Sequence, residues 1–149
     1  MKSLFDTSAY HEIQERLEQI QPNNPKKWGE MNISQMLHHC QKPLGIALEK
    51  ETIQKPNFLM RMMFKLVKPQ LYNDKPWKEG LPTAPEFKIV SDKVFGTEKS
   101  KLQGLITEFH QQKDKENWQE HPVFGKFTKQ QWGQMQYKHL DHHFRQFSN

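Results

Sequence analysis

The stretch Thr128-Lys129-Gln130-Gln131-Trp132-Gly133-Gln134-Met135-Gln136-Tyr137-Lys138-His139-Leu140-Asp141-His142-His143-Phe144-Arg145-Gln146-Phe147 carries large apolar side chains at three- and four-residue spacing, the signature of an amphipathic helix. Thr128 and Gln131 form a capping-box pair that starts it, and the pattern runs to the C-terminus. At about 100° per residue, His139 and His143 fall within the arc of Trp132, Met135, Leu140 and Phe147. Lys138, Asp141 and Arg145 occupy the opposite arc, and His142 lies at its edge beside Lys138. Two imidazoles one turn apart on the inward side of a helix can share one ion.

Working outward, the same period recurs. Ile13, Leu17 and Ile20 predict a first helix over 8–20, stopped by Pro22 and Pro25. A second begins after Asn32, with Gln35 completing its cap, and runs through Met36, Leu37, Cys40 and Leu44 to near Glu51. Within it His39 neighbours Met36 and Ile46, whereas His38 shares a polar flank with Gln41 and Glu49, so His39 is the inward candidate. Pro43 removes the hydrogen bond to the His39 carbonyl. A short segment, 57–67, is apolar around nearly its whole circumference and predicts a helix buried on all sides or held in an interface. Prolines at 69, 76, 82 and 85 make 68–94 a long loop, and a further helix starts at Thr97, continues through Leu102, Ile106 and Phe109, and fades in the polar run 111–117. Helices throughout and no convincing strand indicate an all-α protein, an antiparallel four-helix bundle of one domain with one extra short helix and a long Pro-rich loop.

Composition bounds the function. With 149 residues and only 34% apolar content, the mean hydropathy is −0.97, yet Leu, Ile, Val and Phe together reach roughly 22%, above the composition of disordered chains. No run approaches the length of a membrane span and no apolar block follows Met1, which predicts a cytoplasmic protein without a membrane segment. The net charge of +5 is spread along the chain instead of forming a stripe, so no nucleic-acid partner is expected. The single cysteine, Cys40, excludes an intrachain disulfide and any multi-thiolate site, and its place in an apolar stripe predicts a buried, inert thiol. Any metal is then held by histidine or carboxylate, and three imidazoles from two helices match the ligand count of a catalytic site. The same histidines can equally serve as core residues with ordinary hydrogen bonds.

The segments Trp28…Asn32-Ile33-Ser34-Gln35-Met36-Leu37-His38-His39-Cys40 and Tyr137-Lys138-His139-Leu140-Asp141-His142-His143-Phe144-Arg145-Gln146-Phe147, with Gly80-Leu81-Pro82-Thr83-Ala84-Pro85-Glu86-Phe87 and His121-Pro122-Val123-Phe124-Gly125, resemble the DinB-like superfamily of metal-binding four-helix bundles, in particular an uncharacterised bacterial branch. The resemblance implies a divalent transition metal, zinc or nickel, held by His39, His139 and His143. It also implies a metal-dependent enzyme acting on a small-molecule substrate, of the type that transfers a low-molecular-weight thiol or hydrolyses by activating water. On the Pro-rich loop, Glu86 as a general base and Thr83 as a hydrogen-bonding group are the catalytic candidates. The competing expectation is a non-catalytic interaction protein. In either case the Met-rich segment 57–67 predicts a homodimer, and Arg61, Lys65 and Lys68 beside it read as a solvated face or as contacts for an anionic substrate or lipid.

Overall fold

A computed structural model describes residues 1–81 and 83–147. Pro82 of the expected loop, and Ser148 and Asn149 at the expected end of the last helix, lie outside the described residues. Among the described residues five helices follow one another: α1 (Thr7–Gln19), α2 (Ile33–Ala47), α3 (Phe58–Val67), α4 (Phe95–Gln111) and α5 (Lys129–Phe147). Short 3-10 turns stand at Lys68–Leu71, Pro85–Phe87 and Gln112–Asp114, and no strand occurs among the described residues. None of these helices is long and apolar enough to cross a membrane.

Both predicted capping boxes form. Asn32 accepts from the Gln35 amide at 2.9 Å while Gln35 accepts from the Asn32 amide at 2.9 Å. Thr128 and Gln131 repeat the arrangement at 3.2 and 3.0 Å, which satisfies two otherwise orphaned donors at the start of each site-bearing helix. Helix α2 runs unbroken through Pro43 but ends at Ala47, four residues before the expected stop, and the chain reverses at Glu49 in the left-handed region with φ 63°.

Helices α1, α2, α4 and α5 share one core. α2 packs along both α4 and α5, and α1 along the same two helices. Leu4, Ile13, Leu17, Met36, Leu37, Leu44, Leu102, Ile106, Phe109, Trp132, Leu140 and Phe144 are all buried in it. The residues before α1 lie against α5, where the Leu4 amide donates to the Gly133 carbonyl at 3.0 Å. Only glycine fits there, since a Cβ at position 133 would stand 2.1 Å from Ser3 Oγ and 2.6 Å from Phe5 Cδ2.

One expectation is narrowed and one corrected. No residue of α3 is buried, which excludes the first of the two readings of this segment, a helix buried on all sides, and leaves the interface; the four longer helices already fill the interior. Lys138, assigned to the solvent arc of α5, is buried because the segment after α3 covers it. Its ammonium donates to the carbonyls of Gln70 and Asn73 at 2.6 and 3.0 Å and to Asn73 Oδ1 at 2.7 Å, three acceptors for three donors.

Candidate metal centre

The register of α2 and α5 brings three imidazoles together from positions 100 residues apart. His39, His139 and His143 each offer a ring nitrogen, and these nitrogens all lie within 4.8 Å of one another. The ring centres form a nearly equilateral triangle: 5.0 Å for His39–His139, 4.6 Å for His39–His143 and 4.7 Å for His139–His143. All three side chains are buried.

The outer hydrogen bonds fix which nitrogen faces inward. A carbonyl only accepts, so His39 Nδ1 carries the proton that it donates to the Phe87 carbonyl at 2.9 Å, leaving an Nε2 lone pair toward the cluster. Gln146 Nε2 donates to the Trp28 carbonyl at 2.6 Å, which orients its Oε1 toward His143 Nδ1 at 3.0 Å. His143 is therefore also protonated on Nδ1. Gly29, with φ +81°, leaves the room this glutamine needs, because a Cβ there would sit 2.6 Å from Gln146 Nε2. His139 differs, since its buried Nδ1 has no partner among the described residues and its Nε2 lies 3.0 Å from His39 Nε2.

Burial sets the charge of the cluster. It lowers the pKa of His39, against the opposing pull of the Phe87 carbonyl. Burial, then the neighbouring histidines, hold His139 well below the usual histidine range. Burial and His39 bring His143 to about 3. Three neutral imidazoles with converging nitrogens form a donor set for a divalent ion, and the 3.0 Å approach of two Nε2 atoms needs a cation or a proton between them. On that donor chemistry the residues fit a metal.

The surroundings are aromatic. Trp77 lies 5.9 Å from the His139 ring and 5.7 Å from His142, with its indole N–H donating to the Gln70 carbonyl at 2.9 Å. Phe87 stands edge-on to His39 at 6.2 Å. His142 is buried between Trp28 and Trp77, outside the group of three, as its angular position predicts. His38 turns away to Glu98, a buried carboxylate 2.8 Å from His38 Nδ1 and 2.7 Å from Gln41 Nε2. Burial raises the Glu98 pKa, but these hydrogen bonds outweigh it and the net shift is downward.

Thr83 and Glu86 are exposed, and neither forms a hydrogen bond to the three histidines. The loop reaches the cluster through Phe87 and Trp77 instead. Cys40 is fully buried, its thiol pKa raised by burial and its Sγ 3.6 Å from Met36 Sδ, the inert packing expected of it. Gln146 was detectable, being three residues beyond His143 on the same helical face. The Phe87 carbonyl was not, since a main-chain acceptor has no signal in residue identity. A surface groove of about 830 Å³ lies between α1 and α4 and includes none of the cluster. Its central polar groups, Tyr10, Gln14 and Thr107, are joined by hydrogen bonds to one another.

No curated protein and no solved structure matches the chain. The model of the family described as "Protein of unknown function (DUF1569)" matches residues 4–149, and the chain belongs to that family.

Proposed function

We propose that this protein is a metal-dependent enzyme of the DinB-like type, an antiparallel four-helix bundle of α1, α2, α4 and α5 that holds one divalent ion, zinc or nickel, through His39, His139 and His143. The observation that carries the reading is the convergence of three buried ring nitrogens from two helices. Such an ion, with positions left open beyond three protein ligands, acts as a Lewis acid and lowers the pKa of a water or thiol near neutrality. The reaction class that follows is transfer of a low-molecular-weight thiol, or hydrolysis, on a small electrophilic substrate.

The chain's own residues prepare the site. Phe87 and Gln146 hold the rings of His39 and His143 with Nε2 inward, which fixes tautomer and orientation before a ligand arrives. Burial keeps the three imidazoles neutral at neutral pH, so an incoming ion meets no imidazolium charge and has to displace only the single proton shared between the Nε2 atoms of His39 and His139. Trp77 and Phe87 cover His139 and His39 with aromatic surface, which excludes water from those sides.

Elemental analysis of protein purified without a His tag is expected to show about one divalent transition metal per chain. His139→Ala and His143→Ala should each abolish retention, whereas His142→Ala, outside the cluster, should retain the metal. Equal loss in all three variants, or metal-free protein after growth in zinc and nickel, overturns the assignment. In a cobalt-substituted sample a small thiol or hydroxamate should change the visible spectrum. A spectrum indifferent to both identifies a closed, structural ion and removes the enzymatic half of the proposal.

A further inference from the structure

Helix α3 presents its apolar face to solvent. Its only half-buried residue, Phe64, meets Phe124 with ring centres 5.5 Å apart, and this contact defines the inward side. At about 100° per residue the opposite direction falls between Met62 and Leu66, with Phe58 and Leu59 beside them. Phe58 is 78% exposed, Leu59 69%, Met62 52% and Leu66 80%. Asn57 accepts from the Met60 amide at 2.9 Å, so the helix is capped and defined without a packing partner on that face. An exposed patch of this kind on a small protein marks an interaction surface.

Charge identifies what covers it. From Thr52 to Asn73 the chain contains Lys55, Arg61, Lys65 and Lys68 and no Asp or Glu. Arg61 and Lys65 flank the apolar arc on its Phe58 side, and neither they nor Lys55 forms an ion pair among the described residues. Lys68 turns inward, to the Lys126 carbonyl and over the Phe127 ring. A second copy seated on this face by two-fold symmetry would bring a cationic rim against its own like with no carboxylate from the segment between them. An anionic bilayer supplies both complements: an acyl boundary for Phe58, Leu59, Met62 and Leu66, and phosphates for Arg61 and Lys65.

We infer that α3 docks the protein onto the surface of an anionic lipid bilayer, lying in the interfacial plane with its Phe58–Leu66 face in the acyl boundary. Ten residues span only about 15 Å, half a hydrocarbon core, so the helix lies in the surface and does not cross it. The inference is independent of the metal proposal. It replaces the expectations that this segment forms a homodimer and that the protein has no membrane contact.

Flotation of the full-length protein with vesicles tests it. Vesicles of phosphatidylcholine with phosphatidylglycerol should bind the protein at least about tenfold better than phosphatidylcholine alone, and added salt should release it. Arg61→Gln with Lys65→Gln should lower partitioning by about thirtyfold, roughly fivefold for each cation near an anionic surface. Met62→Glu with Leu66→Glu should abolish binding while circular dichroism stays unchanged, because neither side chain is part of the core. Failure to bind, or equal binding to neutral and anionic vesicles, overturns the inference. So does a dimer in light scattering that the Met62→Glu, Leu66→Glu variant converts to monomer, since the occupant is then a second copy.

Discussion

At the scale of single residues, the histidines divide by what their outer nitrogens do. His39 and His143 each donate from Nδ1 to a fixed oxygen, whereas the Nδ1 of His139 has no partner among the described residues. His121 is buried in another way: its Nδ1 accepts the amides of Val123 and Phe124 at 3.1 and 3.4 Å, so the proton sits on Nε2 among Phe124, Phe127 and Trp132. Burial, then the charge of Lys68, lowers its pKa to about 4. In the unfolded chain the ring regains its ordinary value of about 6.5, so between those values the unfolded state binds more protons and stability falls as pH falls. Above pH 6.5 the group costs nothing. Across the window it costs about 1.4 kcal/mol per pH unit, and below pH 4 the loss levels off. The His121 ring resonance in the folded protein should hold still down to about pH 5. A titration centred near 6.5 in the native state contradicts this reading. The three cluster histidines were legible because helical period and residue identity together assign them a side. The acceptors that aim them were harder to read, because one is a backbone carbonyl from a loop with no period.

At the scale of elements, the two helix starts with a capping box were legible and one helix end was not. Helix α4 begins at Phe95, two residues before the expected Thr97, because no side chain caps it. Asn32 with Gln35 and Thr128 with Gln131 announce themselves by residue type. The end of α2 is a Schellman motif: the Lys50 amide donates to the Gly45 carbonyl at 2.8 Å and the Glu49 amide to the Ile46 carbonyl at 3.1 Å. The residue that takes the left-handed conformation there is Glu49, where glycine is the usual signal, and its absence allowed the apolar pattern to suggest a longer helix. Glu49→Gly should therefore raise stability by about 0.5–1 kcal/mol through relief of the positive φ. The variant loses an exposed ion pair between Glu49 and Lys115, which contributes little. Urea denaturation checks it; a fall in midpoint would show that the ion pair outweighs the backbone term. Helix α3 illustrates a different limit. An apolar circumference reads the same whether a helix is buried by its own chain or left for a partner, and only the filled core excludes the first.

At the scale of the whole molecule, the all-helical class follows from a 3.6-residue period sustained in every regular segment. Which helices exchange contacts is a property of packing that no local pattern contains. The cluster brings α2 and α5 together across the core, so the proposed ion would act as a crosslink in the folded state alone. At about 100 times its dissociation constant such an ion adds about 2.7 kcal/mol, roughly 5–10 °C in the thermal midpoint of a chain this size. Dialysis against a chelator should lower the midpoint by that amount and added zinc or nickel should restore it. An unchanged midpoint after proven metal removal would show that the histidines do not link the two helices through an ion. The 100-residue interval between His39 and His139 also has a temporal meaning. At about 5–20 residues per second a ribosome needs roughly 5–20 s to travel from one codon to the other. A nascent chain interrupted in that interval carries one imidazole of the three and has no chelate to offer. On the proposed metal reading, loading belongs to chains translated past His143, and a bound ion would certify that α5 has been made and has docked.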